Sequence, residues 1–163
     1  MDFKFVFLSP NGRIGQRDYW LGILILFVAW VFSHLFHILA PLIWLFLLYP
    51  WVCVIAKRLH DFGKSGWLIL APFVIGALCV VAAIVFGGVS AIGAIVALAT
   101  SGTEPSAWTA LFAGLGVMLA CLAVAAVVKL IFLLWVGLSA GDPAANHYGP
   151  PPGAPSPAGP AVI

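Results

Sequence analysis

The sequence predicts an all-α integral membrane helical bundle of about four transmembrane helices, with cytoplasmic N- and C-termini. Three observations predict it. Hydrophobic residues make up 64% of the 163 and charged residues only 7%, whereas soluble proteins carry roughly 45–50% and about 25%. The few charges are bunched, since six of the seven Lys and Arg lie within residues 4–17 and 57–64. Between the bunches the chain is free of charge, over 38 residues from Tyr19 to Ala56, over 39 from Ser65 to Thr103, and again from Pro105 to Val128. About 20 helical residues cross a hydrocarbon core of about 30 Å, and continuous rather than alternating apolar runs select helices over a barrel.

The first run fits two short spans, at about 19–37 and 39–56, with a turn near Phe36 to Pro41 where a proline opens the second helix. In the second run Gly87-Gly88 divides residues 67–100 into 20 and 12 residues. The shorter piece cannot cross, so one span followed by an extra-membrane or re-entrant stretch is expected. Residues 107–140 suit one long or tilted helix. The bias of Lys and Arg puts both basic windows in the cytoplasm. Trp20, Trp51, Trp67 and Trp135 fall near the inner boundaries, where indoles settle. Residues 1–140 are thus read as a multi-span membrane domain. Residues 141–163, with seven of the twelve prolines, are read as a Pro/Gly/Ala-rich flexible cytoplasmic tail.

The polar centre of the sequence is KRLHDFGKSGW, Lys57 to Trp67. Cations at the end of a helix, a glycine to stop it and Ser65 to cap the next describe a tight corner between helices. The same residues also suit a headgroup, ligand or partner site. GKS at Gly63 to Ser65 is not a phosphate-binding loop, because the motif needs a glycine five residues before Gly63 and Arg58 stands there. His60 and Asp61 are helical neighbours that diverge, and no nucleophile accompanies them. Asp61 is expected to bond Arg13, Arg17 or Arg58. In SPNGRIGQRDYW, Ser9 to Trp20, Pro10-Asn11-Gly12 signals a turn. Arg13 and Arg17 are four apart, so a helix would put both on one face, suited to anchoring against anionic lipid. The alternation of Phe3, Phe5 and Phe7 leaves helix and strand open.

His34 and His37 share a helical face but have no third ligand nearby, so they are read as polar residues at a span end. Cys53, Cys79 and Cys121 are read as packing residues. Lys129 is the one formal charge inside a span and therefore a candidate intramembrane charge. It either snorkels to the inner interface or pairs with an inner-side acid such as Asp61 or Asp18. Gly93 with Ala97, and Gly116 with Ala120, are small-residue pairs that permit close helix contact.

GRIGQRDYW (Gly12 to Trp20), KRLHDFGKSGW and NHYGPPP (Asn146 to Pro152) together resemble a bacterial inner-membrane family catalogued as domain of unknown function 805. The first two follow its pattern almost residue for residue. The third departs from it, with His147 where arginine is usual and Pro151 where an acid is common. The resemblance implies a small multi-span protein of the bacterial inner (plasma) membrane and brings no activity, substrate or cofactor with it.

The candidate site is a cytoplasmic polar patch of Arg13, Arg17, Asp18, Arg58, His60, Asp61, Lys64, Asn146 and Tyr148. No catalytic set, cofactor motif or metal cluster is read from the sequence. The expected function is that of a non-enzymatic scaffold, assembly partner or lipid-interacting module. Its expected partners are membrane lipids, including anionic headgroups, together with a membrane protein or further copies of the chain. A net charge of +2 gives no basic stripe for nucleic acid. The alternative function is a transporter or channel component for a small solute or ion, which rests on Lys129 and the polar corner.

Overall fold

The computed structural model describes residues 2–36, 38–101 and 105–154, with Ser101 as backbone alone. His37, Glu104 and residues 155–163 lie outside the described residues, and with them the His34–His37 pair and the end of the tail. The described chain is helical: α1 (Phe3–Leu8), α2 (Gln16–Ser33), α3 (Ala40–Asp61), α4 (Leu70–Ala82), α5 (Val89–Ser101) and α6 (Pro105–Leu138). By contacts the chain divides into two compact units. One comprises Met1–Ile69 with Trp135–Ile163, and the other Leu70–Leu134.

Among the described residues three helices are long and apolar enough to cross a membrane: Ala40–Asp61, Gly66–Thr100 and Pro105–Leu138. Much of their apolar surface faces outward, as membrane-facing or interaction surfaces do; only 6% of the apolar window of Pro105–Leu138 is buried. The shorter α2 opens with Gln16, Arg17 and Asp18, which dilute its apolar stretch. The first two helices keep the expected order with shifted bounds. Helix α2 stops at Ser33, and α3 starts at Ala40 with Pro41 in its first turn, a position where proline's missing N–H costs nothing.

In the first unit, α1 and α2 both pack on α3. The three phenylalanines of the N-terminus lie on or beside a helix rather than a strand. Asp2 caps α1 by accepting from the Phe5 N–H at 3.2 Å, and Val6 and Phe7 are its buried residues. Helix α3 ends where its sequence says it should. Gly63 has φ +70°, a conformation that favours glycine. The Gly63 N–H bonds the His60 carbonyl at 3.2 Å and the Lys64 N–H bonds the Leu59 carbonyl at 2.9 Å, the paired 5→2 and 6→1 bonds of a Schellman stop. Ser65 Oγ then accepts from the Trp67 N–H at 3.3 Å and opens the 3-10 turn Gly66–Ile69.

The second unit differs from the sequence reading in one respect. Gly87-Gly88 does not break the helix. The chain runs on as helix through a π-helical segment, Ala83–Gly88, into α5. A π turn admits an extra residue without giving up main-chain hydrogen bonds, so residues 87–100 extend the apolar helix instead of leaving it. Gly87 is a packing residue. A Cβ there would stand 2.7 Å from the Gly114 carbonyl oxygen, and one on Gly114 would stand 2.7 Å from that of Gly87. The antiparallel partner is therefore α6. Of the pairs chosen by spacing, Gly93 with Ala97 lines a cleft facing Ser106, Ala107 and Ala110 of α6, with open space where a Gly93 Cβ would go, and Gly116 likewise has open space there. A four-residue spacing recurs on every face of a glycine- and alanine-rich helix, so spacing alone does not say which face meets the neighbour.

A candidate functional site: a polar lock at one end of the first unit

The three polar segments singled out in the sequence meet in the first unit. Each reaches the meeting point for a local reason. After α1, the Pro10-Asn11-Gly12 turn, with Gly12 at φ +95°, sends the chain through Arg13 and Ile14 before α2 begins at Gln16. Arg13 therefore precedes the helix. The expectation that Arg13 and Arg17 share a helical face is overturned, because Arg13 is buried and Arg17 is exposed. Arg58 and Asp61 lie one turn apart on the last turns of α3. The segment after α6 folds back through Asp142 to a tight turn in which Asn146 and Gly149 bond each other's main chain at 3.1 and 2.9 Å.

Asp61 is the centre. One carboxylate oxygen accepts from Arg13 Nε at 3.1 Å and the other accepts from Arg58 Nη1. Its main-chain carbonyl accepts from Arg13 Nη2 at 3.1 Å and from the Asp142 N–H at 2.8 Å. Arg13 also donates to the carbonyls of Ala144 at 2.8 Å, Gly149 at 3.2 Å and Asp142 at 2.5 Å. All five guanidinium N–H groups are thus committed. Arg58 donates to Val136 O at 3.2 Å and to Ile14 O at 3.5 Å, and also to Ser139 O. The side chains of Arg13 and Arg58 are each 1% exposed and that of Asp61 3%.

Lys57 is buried as well. Its Nζ donates to the carbonyls of Phe5 and, at 2.8 Å, of Val6, and it lies 4.4 Å from the centroid of the Phe5 ring. Two arginines thus share one carboxylate in a buried region, while buried Lys57 is met by the carbonyls of α1. The balance comes from main-chain carbonyls at the C-terminal ends of α1, α3 and α6, where unpaired oxygens and the helix dipole favour positive charge. Among the described residues no buried side-chain nitrogen or oxygen lacks a partner.

Around this centre, Asn146 donates to the His60 carbonyl and to Asp142 Oδ2, both at 3.0 Å. The Tyr148 ring lies parallel to that of His60, with centroids 3.7 Å apart and a 7° angle between planes. Gln16 donates to the carbonyls of Leu138 and Ser139. Two glycines allow these approaches. A Cβ on Gly141 would strike the Asp61 carboxylate, and one on Gly137 would strike the Tyr19 and Trp20 rings.

Of the nine patch residues, the structure gathers Arg13, Arg58, His60, Asp61, Asn146 and Tyr148 into one network, while Arg17 and Lys64 are exposed and Asp18 is half-buried. Sequence reading missed Lys57, Asp142, Gln16 and the two glycines as members. The run GLSAGD at the end of α6 was the available signal, because small residues there leave room for large polar neighbours. Residues 141–154 were read as part of a flexible tail, yet in this segment Asp142, Asn146 and Tyr148 are tied to α3. Of the two acids expected for Lys129, Asp61 pairs with Arg13 and Arg58. Lys129 itself is exposed, with Nζ 6.0 Å from the centroid of the Phe73 ring and its stem beside Gly76.

An all-α chain with three long apolar helices among the described residues, in which Arg13, Arg58 and Asp61 tie the segment before α2, the end of α3 and a C-terminal strap together, defines a class of small helical protein with candidate membrane spans. The chain belongs to the family described as "Protein of unknown function (DUF805)", which matches residues 7–150, a range that contains every member of the lock. It is also similar to the "Uncharacterized protein YiiR" of Escherichia coli, from strain K12 and from O157:H7. Each is 37% identical over 79 residues, covering 39% of this chain and 54% of the relative. The chain thus spans about half the length of the curated relatives it matches. No solved structure matches.

Proposed function

We propose that the protein is a four-span component of the bacterial inner membrane that acts without catalysis, as an assembly scaffold whose cytoplasmic face meets anionic lipid and a membrane partner. The observation that carries this reading is the commitment of every Arg13 N–H group, together with both Asp61 oxygens, to other parts of the chain. The polar centre holds shape, and outward contacts fall to its exposed surroundings: Arg17, Lys64 and Trp67.

The same network supports four spans. Arg13 bonds both Asp61 and Asp142, so residues 13, 61 and 142 share one side of the hydrocarbon. The chain must then cross an even number of times between Gln16 and Arg58, and again between Gly66 and Leu138. Each interval offers two long apolar stretches. Helix α2, at 18 residues, measures about 27 Å, close to a hydrocarbon thickness of about 30 Å. The density of Lys and Arg on that side supports a cytoplasmic orientation for it.

The test uses the native membrane. Single cysteines at Asn11, Ser65 and Ala145, all exposed, should react from the same face of sealed inner-membrane vesicles. Labelling from opposite faces would remove the topology. A photo-crosslinker at Trp67 should then capture anionic lipid or a defined protein neighbour, and capture should fall in an Arg17→Glu, Lys64→Glu double variant. Equal capture by both forms would count against the scaffold reading while leaving the topology intact.

A further inference from the structure

The C-terminal strap supplies most of the acceptors that Arg13 uses. Arg13 gives three of its five hydrogen bonds to the carbonyls of Asp142, Ala144 and Gly149. Arg58 gives two of its bonds to Val136 and Ser139, at and just beyond the end of α6. The acceptors Ser139, Asp142, Ala144 and Gly149 follow Gly66–Thr100 and Pro105–Leu138 in the chain. Without them, two guanidiniums share Asp61 and a few carbonyls in a buried site. An arginine that is buried with unsatisfied donors carries the whole desolvation penalty of those groups.

The strap is held by polar geometry with little apolar cover. Pro143, Ala144, Ala145 and His147 are exposed. Its fixed points are the Asp142 N–H on the Asp61 carbonyl, Asn146 on the His60 carbonyl, and Tyr148 against the His60 ring. Asn146 also orders the strap internally. Its Oδ1 accepts from the Tyr148 N–H at 2.9 Å while its Nδ2 reaches Asp142 Oδ2. Such a segment binds as an extended peptide would, through main-chain oxygens aimed at a preformed cation. It is joined to α6 by only Ser139 to Gly141.

We infer that residues 141–149 form a latch, and that its closure on Arg13 and His60 is a built-in checkpoint which is passed only when the last helix has returned to the side of the membrane that holds the first two polar segments. A chain with its last helix misplaced keeps its apolar helices but leaves Arg13 and Arg58 short of acceptors. That state is loose at the end where α1, α2 and α3 meet. The inference rests on the one-sided topology proposed above and not on the scaffold role: labels reaching Asn11, Ser65 and Ala145 from opposite faces would remove the topology, whereas the melting comparison below tests the latch itself.

The experiment compares the full chain with a chain stopped after Ala140, a chain stopped after Ala154 and the full-length Asn146→Ala variant. All are extracted in mild detergent and heated while the folded fraction is followed. Stopping after Ala140 should lower the unfolding midpoint by about 10 °C or prevent recovery, and Asn146→Ala should lower it by about 3–5 °C. Stopping after Ala154 should leave it unchanged. A synthetic peptide of residues 141–154, added in excess, should restore part of the midpoint of the chain stopped after Ala140, and the same peptide carrying Asn146→Ala should not. The inference is overturned if the chain stopped after Ala140 melts with the full chain. It is overturned equally if Asn146→Ala has no effect, which decides the matter even when the stopped chain cannot be recovered.

Discussion

In the unit built from residues 1–69 and 135 onward, cohesion at one end is directional: two arginines, one lysine and one aspartate are fixed by named acceptors. In the unit Leu70–Leu134, cohesion comes from absence of bulk. Gly87 and Gly114 bring two helices to near main-chain contact, with Ala83, Ala91, Ala94 and Ala107 among the buried residues. The contrast follows from solvent. Lipid tails are as apolar as leucine, so apolar surface gains little from meeting apolar surface, and close packing of small residues is what remains. A polar network, by contrast, is specific to one register because each unpaired member is costly. The first unit therefore depends on chemical identity and the second on size.

The largest effect is expected from Asp61→Ala. It strands two guanidiniums whose side chains are 1% exposed, and removing one partner of a buried pair costs about 3–5 kcal/mol. Folded protein recovered in mild detergent should fall steeply. Asp61→Asn, which keeps one acceptor oxygen, should lie between the variant and the parent. If Asp61→Ala melts with the parent, the contrast between the units fails at its strongest point.

How much of this could be read beforehand divides along the same line. The helical class, the apolar runs, the stop at Gly63 and the start at Ser65 rest on local rules, and each is visible within a few residues. Asp61 was recognised as a partner for arginine because a lone acid among cations needs one. The identity of that partner was not legible. Arg13 and Arg17 differ only in whether the helix has begun, and that depends on the turn at Gly12. The carbonyl acceptors at Val136, Ser139 and Ala144 leave no trace in side-chain type. Continuity through Gly87-Gly88 was missed because glycine was read as a breaker, when here its missing side chain admits a neighbouring helix.

A smaller effect, of about 1–3 kcal/mol, is expected from Gly114→Val, because overpacking at a main-chain contact forces the two helices apart. Gly116→Val and Gly93→Val, with open space at the Cβ position, should stay within about 0.5 kcal/mol. Thermal midpoints of the three variants in one detergent check this directly. Equal losses at Gly114 and Gly116 would show that helix propensity, and not the interface, sets the response.

The smallest effect is expected from Lys129→Met, although Lys129 is a formal charge within an apolar helix, toward the C-terminal end of α6. Its side chain is exposed, its stem runs beside Gly76, and its ammonium lies 6.0 Å from the centroid of the Phe73 ring, at the outer limit of a cation–π contact. A cation near the centre of a span costs about 2.5–3.5 kcal/mol on insertion scales, less when the side chain snorkels toward the interface. Methionine of similar length removes that cost and keeps the packing. The midpoint of Lys129→Met should therefore equal or exceed that of the parent. If reconstituted parent protein carries any solute flux, flux unchanged in the variant would exclude Lys129 from its path. A loss of stability approaching that of Asp61→Ala would instead reveal a strong polar partner for Lys129, and would give the second unit a directional lock of its own.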